Sequence, residues 1–483
     1  MPTAENALLA EISFDEVARD AFVALSGDCN PVHVDPVAAR RSPTGTPIVH
    51  GVHQVLEAME AHFSSSPGTA TPVAKLRISF EKPLPVGSIA GVVRARADDG
   101  GFVLEVRSGV EITTKIVAKF GTCASSSGIE TANRVHSPLI PLDQSEADLA
   151  GLSGGIRLSG DREAVNGAYP ATSAAIGAAR VDGLLAATFL VGMVAPGLHS
   201  LFRGISLTAT ADVRTDGRLA FRTTFYDPRF RLLRLSVEGG GWSGTVDAHL
   251  RRGPVIQPSI DAVSNKVNRG EFSGLRSLVI GGSRGLGEVI AKILASGGAE
   301  VTITHAKGSA DAARVRSEII AWGGNCEVAP FDLHSGSEGL KHIVGAPCDQ
   351  VYFMATPAIG SVESGHRPDV LARYLESYVE GFAAVVERLA QTAERRLDVF
   401  YPSTVYVEGP PRDFIDYAMA KAAGEVLCAA LRTDPRFANV VIERLPRLAS
   451  DQTAGLASES FPDPVPVLLD AVRRTCSGRR GRC

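Results

Sequence analysis

Apolar positions along the chain change period several times, and each change marks an element. From Ser13 the run Ser-Phe-Asp-Glu-Val-Ala-Arg-Asp-Ala-Phe-Val-Ala-Leu predicts a helix: Ser13 can cap it, Asp15 and Glu16 suit its first turn, and Phe14, Val17, Phe22 and Leu25 share one side. A second helix is predicted from about Ile48 to Phe63, with Val52, Val55, Leu56, Met59 and Phe63 forming a stripe that would face a sheet. Four strand-like stretches follow at roughly 74–82, 87–97, 101–108 and 111–121, with Gly87 and Asp99-Gly100-Gly101 as turns. The Ser/Gly/Thr-rich run 124–132 reads as a surface linker.

Between about 152 and 255 the same order returns. An alanine-rich helical stretch reaches Leu201, and strand-like runs near 203–212, 218–226, 230–238 and 242–250 are separated by Asp216-Gly217, Asp227-Pro228 and Gly239-Gly240-Gly241. This predicts an internal duplication. After the polar run 265–271 the pattern becomes apolar strand (275–280), glycine-rich turn (281–287) and helix (288–297), the start of an α/β domain. The expected organisation is therefore a first unit at 1–130, a linker at 131–151, a second and similar unit at 152–262, a linker at 263–274, and an α/β domain at 275–483.

Composition narrows the function classes. A chain of 483 residues holds roughly three domains, and 45% hydrophobic with 21% charged residues is ordinary for a globular protein. The net charge of −4 recommends neither nucleic acid nor an anionic membrane as a partner. No basic segment followed by an apolar core opens the chain, and no uncharged apolar window of about 18 residues occurs, so a cytoplasmic protein without signal peptide or membrane span is expected. Seven scattered cysteines without a Cys-x-x-Cys pair suggest free thiols and no metal site.

The chemistry of the first unit concentrates at Ser26-Gly27-Asp28-Cys29-Asn30-Pro31-Val32-His33-Val34-Asp35, followed by His50-Gly51. Gly27 and Pro31 break regular structure, so Asp28 and His33 can converge on one small molecule as general acid and base. An Asp-x-Asn-Pro run alone would be a turn that bonds its own backbone. The full set resembles the Asp-x-Asn-Pro-x-His signature of R-specific enoyl thioester hydratases, the MaoC-like branch of the hotdog fold. The resemblance implies that Asp28 and His33 bind the water added to or removed from a 2-enoyl thioester, that Asn30 braces the turn, and that the backbone near His50 and Gly51 meets the thioester carbonyl. It also implies a double hotdog whose second copy, lacking the motif, is catalytically silent and shapes the acyl tunnel. His199 in that copy reads as a packing or capping residue more than a catalytic one.

In the C-terminal third, Gly281-Gly-Ser283-Arg284-Gly285-Leu286-Gly287 lies between strand and helix, where backbone N–H groups and missing side chains form an anion cradle. No acid ends the next strand; His305 and Lys307 stand there, with Arg284 in the loop, so positive charge favours the 2′-phosphate of NADP(H) over NAD. Tyr417 and Lys421 are one helical turn apart, and Ser403 or Thr404 upstream could bond the reacting oxygen. These residues resemble the short-chain dehydrogenase/reductase family over about 275–483, with a Rossmann-type doubly wound parallel sheet. By that resemblance Tyr417 donates the proton, Lys421 holds the nicotinamide ribose and tunes Tyr417, and Asp332 meets the adenine. The sequence departs from the family at Ile280, at Met354–Gly360 and at Tyr378, where the family has Thr, Asn-Asn-Ala-Gly and a structural Asn.

The two resemblances imply consecutive chemistry: NADPH-dependent reduction of a 3-oxoacyl thioester at Tyr417, then dehydration of the 3-hydroxyacyl product at Asp28 and His33, as in fatty-acid or polyketide synthesis. Fusion would raise the local concentration of the intermediate. The reverse order, hydration then oxidation, is the alternative direction. A hydratase carrying an inert cofactor fold is the alternative of another class. Coenzyme A or acyl carrier protein is the expected carrier, with Arg40, Arg41 and Arg203 as candidate docking arginines, and a homodimer or higher homo-oligomer is expected.

Overall fold

The strand-like stretches pair into two separate sheets in the computed structural model, which describes residues 6–40, 44–65, 72–98, 100–125, 128, 129, 131, 133–211, 217–335, 339, 341, 343, 348–360, 365–453 and 461–477. Two units divide at Gly253/Pro254. The break precedes the expected one: residues placed in the sequence-based linker, Phe272 above all, are buried in the second unit's core.

In the first unit, β1 (Ala7–Phe14) leads to α1 (Glu16–Ser26), the short α2 (Pro31–Val34) and α3 (Pro36–Ala39), the long α4 (Gly51–Ser65), and then β2 (Val73–Phe80), β3 (Ser88–Asp98), β4 (Gly101–Ser108) and β5 (Glu111–Phe120). The helix expected from Ser13 starts later, because Ser13 is still paired with Ile89 and Asp15 accepts the Ala18 N–H as the cap. The hydrophobic stripe of α4 is as the spacing predicts: Val52, Val55, Leu56, Met59 and Phe63 are all buried. Its start moves from Ile48 to Gly51, since Ile48 bridges to Pro85 in extended backbone.

After β6 (Val135–His136) and α5 (Glu146–Leu149) the order repeats: β7 (Ser153–Arg157), α6 (Arg162–Ala168), α7 (Pro170–Ile176), α8 (Ala178–Phe189), then β8 (Ser200–Ala209), β9 (Arg218–Asp227), β10 (Leu232–Gly239) and β11 (Trp242–Leu250). The sheet runs β1-β3-β4-β5-β2-β8-β11-β10-β9-β7-β6. Read outward from the antiparallel β2–β8 seam, both halves follow one order, which is the duplication expressed as strand pairing. The helical stretch predicted to reach Leu201 instead breaks at Gly177 (φ +90°), and α8 ends in a wide π-type turn over Leu190–Val194 before β8. Among the described residues no single helix is long and apolar enough to cross a membrane.

The second unit adds α9 (Ile260–Ser264), β12 (Arg276–Ile280), α10 (Gly285–Ser296), β13 (Glu300–His305), α11 (Ser309–Trp322), β14 (Asn325–Pro330), β15 (Gln350–Phe353), β16 (Leu397–Thr404) and β17 (Phe437–Leu445), with the helix Ile415–Leu431 between the last two strands. All strands are parallel in the order β14-β13-β12-β15-β16-β17. That order reverses direction between β12 and β15, the crevice in which such sheets bind nucleotides.

Candidate active sites

In the first unit α1 is stopped by Gly27 (φ +71°), whose N–H bonds the Val23 carbonyl. A Cβ there would lie 3.2 Å from the Phe189 ring, so glycine serves both the turn and the approach of α8. The next residue, Asp28, is 1% exposed. Asn30 caps α2 through Oδ1, which accepts the Val32 N–H at 3.1 Å, and its Nδ2 donates to the carbonyls of Gly192 (2.7 Å) and Gly197 (3.0 Å). Asp35 is a cap, accepting the Val37 N–H at 2.7 Å.

His33 and His50 stack with ring centroids 3.7 Å apart, and ring nitrogens of both lie within 4.8 Å of an Asp28 carboxylate oxygen and of each other. Their hydrogen bonds fix the tautomers. His33 Nδ1 is 2.7 Å from the Ile48 carbonyl and must carry the proton, which leaves a lone pair on Nε2. His50 Nε2 donates to the Asp28 carbonyl at 2.9 Å, so its Nδ1 is unprotonated; it is buried and has no hydrogen-bond partner among the described residues. Burial, and for His33 the neighbouring His50, pulls both rings down to about 3. Burial also pushes the Asp28 carboxyl above its ordinary value, against the opposing pull of His33, the Thr188 hydroxyl and the Asn30 N–H. The site therefore holds neutral imidazoles beside a carboxyl that takes up a proton readily. Gly51 opens α4, so its N–H has no acceptor within the helix. A Cβ at Gly51 would lie 2.5 Å from the Phe80 ring, which leaves the backbone bare there.

The neutral histidines make the unit acid-sensitive. Each ring titrates near 6.5 in an unfolded chain and near 3 when folded, so the unfolded state takes up protons first and stability falls as pH drops from about 6.5 toward 3. Asp28 acts in the opposite sense, its burial becoming easier as it protonates. The expected net loss at pH 4.5 relative to pH 7 is about 2–4 kcal/mol. Denaturant unfolding read from buried Trp242, in a Trp322→Phe background, measures it.

In the second unit Gly281 has φ +79°, and its N–H bonds the Thr304 hydroxyl at 2.9 Å. A Cβ on Gly287 would lie 2.3 Å from the Gly281 carbonyl oxygen, so the loop folds directly onto the first turn of α10. No side chain caps that turn. Ser283 is buried and Leu286 packs against the core. Arg284, expected beside a 2′-phosphate, is instead paired with Asp451 at 3.0 Å. His305 ends β13 half-buried, Lys307 is exposed just beyond, and Asp332 accepts the His334 N–H at 3.0 Å.

The two serine/threonine candidates separate cleanly. Thr404 hydrogen-bonds Tyr417, whereas Ser403 donates to Glu425 at 2.5 Å and Glu425 in turn is held by Arg444, so the expected alternative at Ser403 is set aside. Tyr417 lies among Tyr374, Tyr378 and Tyr406 at centroid distances of 5.8, 5.8 and 6.4 Å. Burial pushes its phenol well above the ordinary value and the Thr404 bond lowers it in part. Lys421 is buried, donates to the Pro402 carbonyl at 2.7 Å, and sits 3.8 Å above the ring centroid of Tyr378. Its desolvation brings the ammonium down to about 7. Tyr378 Oη is 2.5 Å from Thr356 Oγ1, so the segment after β15 and Tyr378 touch each other.

Of the candidate docking arginines, Arg40 is half-buried, Arg203 is exposed in a groove of about 330 Å³ with Arg77, Arg234 and Asp247, and Arg41 lies outside the described residues. Thr188 and Gly192, which both meet Asp28, were not found from the sequence: a lone Thr and Gly in an apolar helical stretch carry no local signal.

Residues 5–116 match the family described as MaoC like domain. No curated relative matches the chain. Solved structures similar to it include a 3-oxoacyl (acyl-carrier-protein) reductase from Agrobacterium tumefaciens C58 with NADP bound (23% identity, 43% of this chain and 91% of that chain, TM-score 0.38). A short-chain dehydrogenase from Burkholderia cenocepacia J2315 in complex with NADP (21%, 42% and 90%, TM-score 0.38) and a dehydrogenase/reductase from Sinorhizobium meliloti 1021 (19%, 46% and 93%, TM-score 0.39) are also similar. The chain thus carries a match to the MaoC like domain at residues 5–116, followed by a unit built on a six-stranded parallel sheet of Rossmann type.

Proposed function

We propose that the protein is a bifunctional acyl-thioester enzyme: a double hotdog that dehydrates 3-hydroxyacyl thioesters, and a reductase that makes them from 3-oxoacyl thioesters with NADPH. The observation that carries the reading is the convergence of Asp28, His33 and His50 on one point in buried surroundings. The His33 Nε2 lone pair takes the C2 proton, Asp28 as the acid gives a proton to the departing C3 hydroxyl, and water leaves with formation of the C2–C3 double bond. The proton then returns from His33 to Asp28. The Gly51 N–H receives the thioester oxygen as charge develops on it.

The second unit suits a nicotinamide dinucleotide, because Gly281 and Gly287 leave no room for side chains and α10 presents an uncapped N-terminus to a pyrophosphate. Gly281–Gly287 would hold the phosphates, His305 and Lys307 the 2′-phosphate, Asp332 the adenine and Lys421 the nicotinamide ribose. NADPH supplies the hydride when bound. Tyr417 donates the proton to the ketone oxygen and Thr404 orients that oxygen. Coenzyme A or acyl carrier protein is the proposed carrier. One observation favours a second reading, a dehydratase with an inert cofactor fold: Lys421 is held against Tyr378 where the family has an Asn.

NADPH absorbance with a short 3-oxoacyl thioester, with mass analysis of products, separates the readings. Oxidation with appearance of both hydroxyacyl and enoyl products is expected. Enoyl–hydroxyacyl interconversion without any oxidation would leave only the dehydratase.

A further inference from the structure

The half of the first unit that lacks the Asp-x-Asn-Pro-x-His motif closes over Asp28. The Thr188 hydroxyl, on α8, donates to Asp28 Oδ2 at 2.8 Å, and the two residues are 3% and 1% exposed. A threonine inside a helix ordinarily bonds the carbonyl one turn back; this one spends its proton on a carboxylate 160 residues away. Four residues on, the π-type turn brings Gly192 against the same group, and a Cβ there would stand 2.2 Å from Asp28 Oδ1. The Gly192 carbonyl also accepts from Asn30 Nδ2 at 2.7 Å. Three separate contacts thus run from α8 and its turn to the catalytic loop.

We infer that Thr188 is a positioning residue of the dehydratase site, holding the Asp28 carboxyl at one rotamer and stabilising the carboxylate left when Asp28 gives up its proton. This rests on the dehydratase reading for its catalytic consequence. The motif-less half is then a working part of the site. Among the described residues it contributes no titrating group to Asp28: the titratable groups facing that carboxyl are Cys29 and His33 from its own loop and His50 just before α4, with Arg251 acting on His33, while α8 and its turn present Thr188 and Gly192. Removing the Thr188 hydroxyl therefore leaves burial less opposed, and Asp28 must titrate higher.

The test compares full-length wild type, Thr188→Val and Thr188→Ser. Two measurements are made: the pH profile of enoyl–hydroxyacyl interconversion, and the carboxyl ¹³C titration of Asp28, its resonance assigned by loss in Asp28→Asn. Thr188→Val is expected to lower kcat by about 10- to 100-fold and to move the Asp28 midpoint up by about one pH unit, in the profile and in the resonance, with Thr188→Ser restoring both. An unchanged midpoint in Thr188→Val, or a Ser variant as impaired as the Val variant, overturns the inference. If wild type and Asp28→Asn prove equally inert toward enoyl thioesters, the dehydratase reading fails by itself, and the ¹³C titration still decides whether Thr188 holds the carboxylate.

Discussion

Asp28→Asn is expected to lower enoyl–hydroxyacyl interconversion by about 10³-fold and to leave NADPH oxidation at the wild-type rate. The substitution is nearly isosteric, so the packing against Gly192 is kept, the amide oxygen can still accept the Asn30 N–H and the Thr188 hydroxyl can turn to accept from the amide, and what is lost is the proton. General acid–base groups contribute about 10²–10⁴-fold, and among the described residues no second carboxyl joins His33 and His50 to substitute for Asp28. His33→Ala should cost a similar factor. The double variant should be little worse than either, because acid and base act as one unit. The rates are read by mass analysis of a 2-enoyl thioester in water; an Asp28→Asn enzyme keeping more than a tenth of wild-type activity would remove Asp28 from the chemistry.

How far the sequence reached depended on whether a signal was local. Gly27, Asn30 and Pro31 dictate their own turn, so the convergence of Asp28 and His33 was readable from ten residues. The buried stripe of α4 and the glycine loop at Gly281–Gly287 were readable for the same reason. β1 was missed because its five-residue alternation, Ala10 to Phe14, merges into the helical spacing of α1, and Phe14 fits both patterns. The environment of each site was hidden, since it is made by segments far away in sequence. Asp451 claims Arg284, Glu425 claims Ser403, and Thr188 reaches Asp28 across the fold. Residue type names a candidate; only the partner decides whether its charge or proton is still available.

Tyr417→Phe is expected to lower NADPH oxidation with a 3-oxoacyl thioester by about 10²–10⁴-fold, with cofactor affinity unchanged, because the glycine loop belongs to another element. Two of the three surrounding phenols are already engaged: Tyr378 Oη by Thr356, and Tyr374 Oη by the backbone at Ala358 and Gly360. Thr404 should matter and Ser403 should not, since only the former meets Tyr417. A pH dependence follows from Lys421. Its folded value, brought down to about 7 by burial, lies below the ordinary 10.5, so the ammonium is present below about 7 and is lost as pH rises through it. If that ammonium supports Tyr417, the wild-type rate declines on the alkaline side with a midpoint near 7. Tyr378→Asn, which replaces the ring under Lys421 with a polar side chain, should move that midpoint upward. Rates between pH 5.5 and 9, with NADPH binding followed separately by fluorescence, test both statements. Tight binding with no oxidation at any pH, in wild type and Tyr417→Phe alike, would mean that the contact between Lys421 and Tyr378 has left a nucleotide-binding unit without a proton relay.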